Sequence, residues 1–194
     1  NYYANGFTPT ELRTTLEDLG PTYVKIGQIM SSRVDLLPEN YCKELEKLRQ
    51  NVKPLDAEVV RAVIEDETGK TIDELFDEFH NEPLGSASIG QAHYAVLKDG
   101  TKVVIKVQRP LIADMMRKDF VLLKKLAGLV NGMSDDKDGQ MIDLVSVIEE
   151  LEKVTEEELD FRVEANNTKF FKEKCITNEE KISCPTVIDD LTND

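Results

Sequence analysis

The chain has 194 residues, 40% of them hydrophobic, and a formal net charge of -14 at neutral pH. That length suits one large domain or one domain with an appendage, and that hydrophobic share excludes global disorder. The acidic balance argues against nucleic acid as a partner and against electrostatic docking on anionic lipid, since both need a basic surface. No apolar run is long enough to span a bilayer, and the chain opens without a signal-peptide pattern. Cys42, Cys175 and Cys184 are odd in number and lack metal-ligand spacing, as expected of reduced thiols in a cytosolic protein.

The first half reads as helices. Thr8-Pro9-Thr10-Glu11 is a capping box with proline at the first helical position, and Gly20-Pro21 ends the helix it opens. A second helix is expected from Pro21 to Arg33, and a third after Pro38, where Tyr41, Leu45 and Leu48 recur at helical spacing. Asp56 caps a fourth from Ala57 to Asp66, with Val59, Val60, Val63 and Ile64 as its stripe. Thr71-Ile72-Asp73-Glu74 caps a short successor carrying Leu75, Phe76 and Phe79.

The pattern changes at Pro83. Gly85 to Gln91 is a small-residue loop between two strands, and Ala92–Leu97 and Lys102–Gln108 flank Lys98-Asp99-Gly100-Thr101, a hairpin signal. Pro110 opens a helix reaching Val130, Ser134 to Gly139 reads as a polar linker, and a second long helix is expected from Met141 to Lys172. Pro185 to Ile188 reads as one more short strand. Helices followed by a small antiparallel sheet with long helices inserted make an α+β fold.

Three features carry chemistry. In the strand Lys102–Gln108, Val103, Ile105 and Val107 line one face while Val104 and Lys106 share the other. Burying an ammonium is costly unless it is paired, although an edge-strand lysine can pack its stem and send its tip to water. Downstream, Asp160 and Glu164 stand four apart on one helical face, with Glu158 around the helix from them. An ideal helix cannot aim all three at one point, so either the helix is distorted here or the acids serve different partners. In the second helix, Lys25 and Gln28 face the same way, and Gly27 makes sense where another backbone comes close. The Gly85–Gly90 loop lets backbone amides approach phosphate, but it is neither G-x-G-x-x-G nor a P-loop, and by itself such a loop is more often a turn. Lys98 to Lys125 holds eight basic and three acidic residues, whereas Glu149 to Asp194 holds fourteen acidic and six basic, which permits pairing between the two.

The order Lys25-x-Gly27-Gln28, Ser88-Ile89-Gly90-Gln91-Ala92-His93, Val104-Ile105-Lys106-Val107-Gln108-Arg109-Pro110 and Glu158-x-Asp160-Phe161-x-x-Glu164 resembles the UbiB (aarF-domain) family of atypical protein-kinase-like proteins. The resemblance runs from about Leu19 to the C-terminus. It implies a kinase-like N-lobe over residues 81–194, with an αC-type helix and an extra inserted helix, preceded by an all-helical extension over residues 1–80. It also implies ATP or ADP as ligand, with Lys106 on the phosphates and Glu164 as its ion-pair partner. Gly85, Ser86, Ala87, Ser88 and Gly90 would cover the phosphates, and Val104 would line the nucleotide face. Lys25 and Gln28 would belong to a helix restricting substrate access, which Glu158 and Asp160 meet. The family's loop is often alanine-rich, and Gly85-Ser86-Ala87 departs from it. His80 and His93 read as structural.

No His-Gly-Asp catalytic loop or Asp-Phe-Gly occurs in the chain, so the resemblance implies a missing C-lobe, and Mg²⁺ is expected only with it. The expected partners are the nucleotide, that C-lobe, and a lipid or quinone-pathway protein, with self-association of the bare lobe through the face bearing Val104. The implied place is the cytoplasm, at a membrane periphery or anchored through regions outside this chain. The alternative is a non-catalytic pseudokinase-like scaffold that binds a protein or lipid partner through its helical extension.

Overall fold

A computed structural model describes residues 6–49, 52–133, 143–174 and 183–192. The linker expected at Ser134–Gly139, the start of the following helix at Met141, and Cys175 lie outside the described residues.

Three short helices come first: α1 (Pro9–Leu19), α2 (Pro21–Met30) and α3 (Glu39–Leu45), the last running into a 3-10 turn at Glu46–Arg49. The Thr8 hydroxyl accepts from the Glu11 amide, and the Glu11 carboxylate accepts from the Thr8 amide, closing the capping box. Gly20 turns the chain at φ 106, a left-handed value that glycine adopts without strain. α2 stops at Met30 rather than at Arg33: the Ser32 and Arg33 amides turn to the Ile29 and Met30 carbonyls three residues back, and the Ser31 hydroxyl donates to the Gln28 carbonyl.

Helices α4 (Ala57–Thr68) and α5 (Ile72–Leu75) lead into four antiparallel strands: β1 (Phe76–Phe79), β2 (Gly85–Ser86), β3 (Gly90–Leu97) and β4 (Lys102–Gln108). β3 is central. β4 pairs with it from Gly90↔Gln108 to Val96↔Lys102, while β1 and β2 take successive stretches of its other edge. Phe76 and Phe79, expected on a helix, are therefore strand residues. A bulge between Phe76 and Glu78 resets the alternation, which is how two core-directed phenylalanines come to stand at a helix-like spacing of three. The division expected at residue 80 runs through this sheet, because β1 precedes it and α4 and α5 cover one sheet face. Val60, Ile64, Ile72, Leu75, Phe76, Ala95 and Val107 form that core.

The long helix α6 (Ile112–Met133) follows β4, and α7 (Leu144–Leu159) packs against it. The ion pairs Arg117–Glu156 and Lys124–Glu152 tie the two together in antiparallel order. α2 lies against α6, where the buried Thr22 hydroxyl donates to Asp119. The expected single helix to Lys172 is two helices: α7 ends at Leu159 and α8 (Phe161–Lys174) begins at Phe161. Asp160 is the break. Its φ of -90 and ψ of 96 are non-helical, and its carboxylate accepts from the Arg162 amide at 2.9 Å, starting α8. Residues 183–188 carry no strand, and a 3-10 turn at Asp189–Leu191 follows.

Candidate functional site

β4 alternates as its sequence predicts. Val107 is buried toward α4, while Val104 and Lys106 stand on the open face, where Val104 is 63% exposed. The register sets Tyr94 opposite Val104 and Ala92 opposite Lys106. The Lys106 ammonium donates to the Glu164 carboxylate on α8 and sits 4.4 Å from the centroid of the Phe161 ring. One turn of α8 thus supplies both an anion and a π-face to the same cation.

The break at Asp160 makes this pairing compatible with a second one. Glu158, on α7, accepts from Lys25 of α2, and Lys25 is buried at 8% exposure. The three acids serve different partners, and Asp160 does not join Glu158 on the Lys25 helix: its described contacts are to Arg162, with a side-chain bond at 2.9 Å. That guanidinium first, and the Arg162 amide second, hold the Asp160 carboxyl below the usual carboxylate range. Gln28 meets other elements. Its amide donates to the Leu48 carbonyl at 2.9 Å and its oxygen accepts from the Ser88 hydroxyl at 3.3 Å, so α2 touches the small-residue loop directly.

That loop is less free than its composition suggests. Gly85 and Ser86 are strand residues paired with Ala92 and Gln91, and the Ala87 amide already donates to the Gly90 carbonyl. Gly90 begins β3, where a Cβ would come within 2.5 Å of the Val107 carbonyl oxygen. The glycine is required there by backbone approach.

Three residues matter here that sequence reasoning left without a role. Phe161 is one. Arg109 is another: its Nε donates to the Ala87 carbonyl at 3.0 Å, and its Nη2 to the Lys53 carbonyl at 2.7 Å and the Ser86 hydroxyl at 3.0 Å. Burial pulls this guanidinium below its usual value, and no described ion pair offsets that. The third is Gln91, whose oxygen accepts from the Leu55 amide and whose nitrogen donates to His93 Nε2. Because His93 Nδ1 lies 2.8 Å from the His80 carbonyl, the ring carries its proton on Nδ1. Backbone partners leave no signature in a sequence, which is why the Arg109 bonds to Ala87 and Lys53 and the Gln91 bond to Leu55 are not legible there.

Between β4, α7, α8 and the 183–185 segment lies an open cleft of about 680 Å³, lined in part by Lys106, Glu158, Glu164, Asn167, Phe171 and Cys184. Its size is in the range of small-molecule and cofactor sites, and its charged lining is Lys106 together with Glu157, Glu158 and Glu164. Among the described residues no group of three or more His, Cys, Asp or Glu is arranged to hold a metal ion.

The family model of the ABC1 atypical kinase-like domain matches residues 47–194. The chain belongs to the ABC1 atypical kinase-like family. Its relatives include a Clostridium pasteurianum protein described as an uncharacterized protein in the hydrogenase 1 5' region, 43% identical over 98% of this chain and 37% of that protein. A probable protein kinase UbiB of Marinobacter nauticus is 41% identical over 80% of this chain and 28% of its own length. Among solved structures, the Rv3197–erythromycin complex from Mycobacterium tuberculosis aligns at a TM-score of 0.59 and 32% identity, covering 93% of this chain and 45% of that one. The chain therefore spans less than half the length of these relatives. The ABC1 fold accounts for the α+β architecture and its kinase-like N-lobe sheet, while Lys25 and Gln28 lie ahead of the span that the family model matches.

Proposed function

We propose that this chain supplies the nucleotide-binding half of a UbiB-type kinase-like ATPase or phosphotransferase that takes ATP or ADP. The observation that carries this reading is the Lys106–Glu164 pair at the wall of the open cleft. A strand lysine aimed by a helix glutamate is the arrangement that presents an ammonium to nucleotide phosphates in kinases. Val104, exposed beside it, would meet the base, and the backbone of Gly85, Ser86, Ala87, Ser88 and Gly90 would lie over the phosphates. Mg²⁺ would be held through a second lobe carrying the catalytic-loop and metal-binding acids. Glu158 lines the cleft and pairs with Lys25, so the α2 helix carrying Lys25 and Gln28 would close one side of the site, which would favour ATP hydrolysis or a small lipid-linked substrate over a protein substrate. The family resemblance, rather than any residue of the cleft, would place the full protein in isoprenoid-quinone biosynthesis or lipid homeostasis, at a membrane reached through other parts of the protein. No helix among the described residues is long and apolar enough to cross a membrane.

Lys106→Ala in the full-length protein should abolish ATP and ADP binding in calorimetry. Because the pair is 45% and 61% exposed at its two side chains, it contributes no more than about 1 kcal/mol to folding. The variant should therefore melt close to the wild type. Unchanged nucleotide affinity would remove Lys106 from the site.

A further inference from the structure

The stretch that leaves the helical extension and enters α4 buries little of its own. Lys53, Pro54 and Asp56 are exposed, and Val52 and Leu55 are only half-buried. It is held by side chains reaching in from two other places. Arg109 after β4 donates to the Lys53 carbonyl, and Gln91 of β3 accepts from the Leu55 amide, while Gln28 of α2 donates to the Leu48 carbonyl in the 3-10 turn just before it. Two of these same side chains hold the small-residue loop. Gln28 accepts from the Ser88 hydroxyl, and Arg109 donates to Ala87 and Ser86. The Arg109 amide also donates to the Ile89 carbonyl at 2.8 Å. The loop and the connecting stretch are thus fastened to each other through one guanidinium.

We propose that Arg109 is a positioning residue that locks the Ser86–Ala87 loop to Lys53, so that the helical extension sets the height of the loop over the phosphate site. This rests on the nucleotide reading of the Lys106 cleft. The residue type matters. Nε and Nη2 lie on one edge of a planar fork and can satisfy two separate carbonyls at once, whereas an ammonium is a single point donor. No carboxylate competes for the fork among the described ion pairs, so its hydrogen bonds are spent on backbone position. A shift of α2 would reach the loop by two routes, through Gln28 to Ser88 and through the connecting stretch to Arg109.

The test compares Arg109→Lys and Arg109→Gln with the wild type in the full-length protein. Amide hydrogen exchange without nucleotide is one readout, and ADP affinity by calorimetry is the other. Both variants should speed exchange in residues 86–90 and 53–55 by about tenfold or more, and weaken ADP by about tenfold, the loss of one to two net hydrogen bonds. Exchange in α4 and β1 should not move. Should Arg109→Gln fail to fold, Ser86→Ala removes one acceptor and leaves the guanidinium in place. It should then raise exchange at 86–90 by a smaller factor of about three. Three results would overturn the proposal: Arg109→Lys matching the wild type, weaker ADP binding with unchanged exchange, or faster exchange spread over the whole sheet. Wild-type protein that binds no ADP would instead sink the nucleotide reading, while the exchange comparison would still decide whether Arg109 couples loop and extension.

Discussion

Lys25 and Lys106 each end on a glutamate more than fifty residues away, but in different surroundings. Lys25 is 8% exposed and donates to Glu158, whereas Lys106 shares its ammonium with solvent, Glu164 and the Phe161 ring. Only the lysine of this pair is buried, Glu158 being 46% exposed at its side chain, so removing the acid strands the cation while replacing the cation by an apolar side chain of similar length leaves an acid that water can solvate. Glu158→Ala should therefore destabilise the fold by about 2 kcal/mol, and Lys25→Met by less than about 1 kcal/mol. Urea midpoints decide this, and equal losses would mean that Lys25 is solvated. Both lysines were legible in the sequence, Lys106 because it shares a strand face with Val104 and Lys25 because it faces the same way as Gln28 beside a helix glycine. Arg109 was not, because two of its three acceptors are backbone carbonyls contributed by segments up to fifty-six residues away.

At the scale of elements, Gly27 and Gly90 show how one residue type answers two demands. A Cβ on Gly27 would meet the methyl ends of Leu48 at 2.4 Å and Leu16 at 2.9 Å, side chains that can shift. A Cβ on Gly90 would meet the Val107 carbonyl oxygen at 2.5 Å, which the β3–β4 ladder holds in place. Gly27→Ala also gains roughly 1 kcal/mol of helix propensity, offsetting part of an overpacking cost of about 1–3 kcal/mol. Gly90→Ala has no such offset and should lower the thermal midpoint far more. A smaller drop for Gly90→Ala than for Gly27→Ala would show that the ladder yields. The close approach expected at Gly27 is by side chains of α1 and of the 3-10 turn, not by another backbone. The sequence located the helices well but missed the break at Asp160 and the strand at Phe76–Phe79. Asp160 sits in a helix-compatible acidic run, and only the separate demands of Lys25 and Lys106 make a turn there productive. Phe76 and Phe79 mimic a helical stripe until the edge of β3 offers them a ladder.

For the molecule as a whole, acidity shapes the response to pH. Glu44 is held below the usual carboxylate range by Lys47 first and Arg13 second, and Asp143 by Ser146 and Asn131. A carboxylate with a depressed folded pKa stabilises the fold at every pH above its unfolded value, and that contribution disappears as pH falls through the folded one. Stability should hold from neutral pH down to about pH 4 and fall below it. Urea midpoints measured across that range should show the loss, with Glu44→Gln giving a shallower acid limb. An identical limb in the variant would remove Glu44 from the cause.

Periodicity and capping by themselves determined that helices lead into a small antiparallel sheet, that Lys106 shares a strand face with Val104, and that the chain's motifs follow the order of an atypical kinase-like family. These are properties of residues near one another in the chain, where dihedral preference and alternation act directly. Only the tertiary structure decided which acid meets which lysine, that Asp160 turns the chain between them, and that Arg109 fastens the loop to the stretch beside the extension. Those outcomes depend on hydrogen bonds between distant segments, many of them to backbone carbonyls, which every residue carries and no sequence pattern marks.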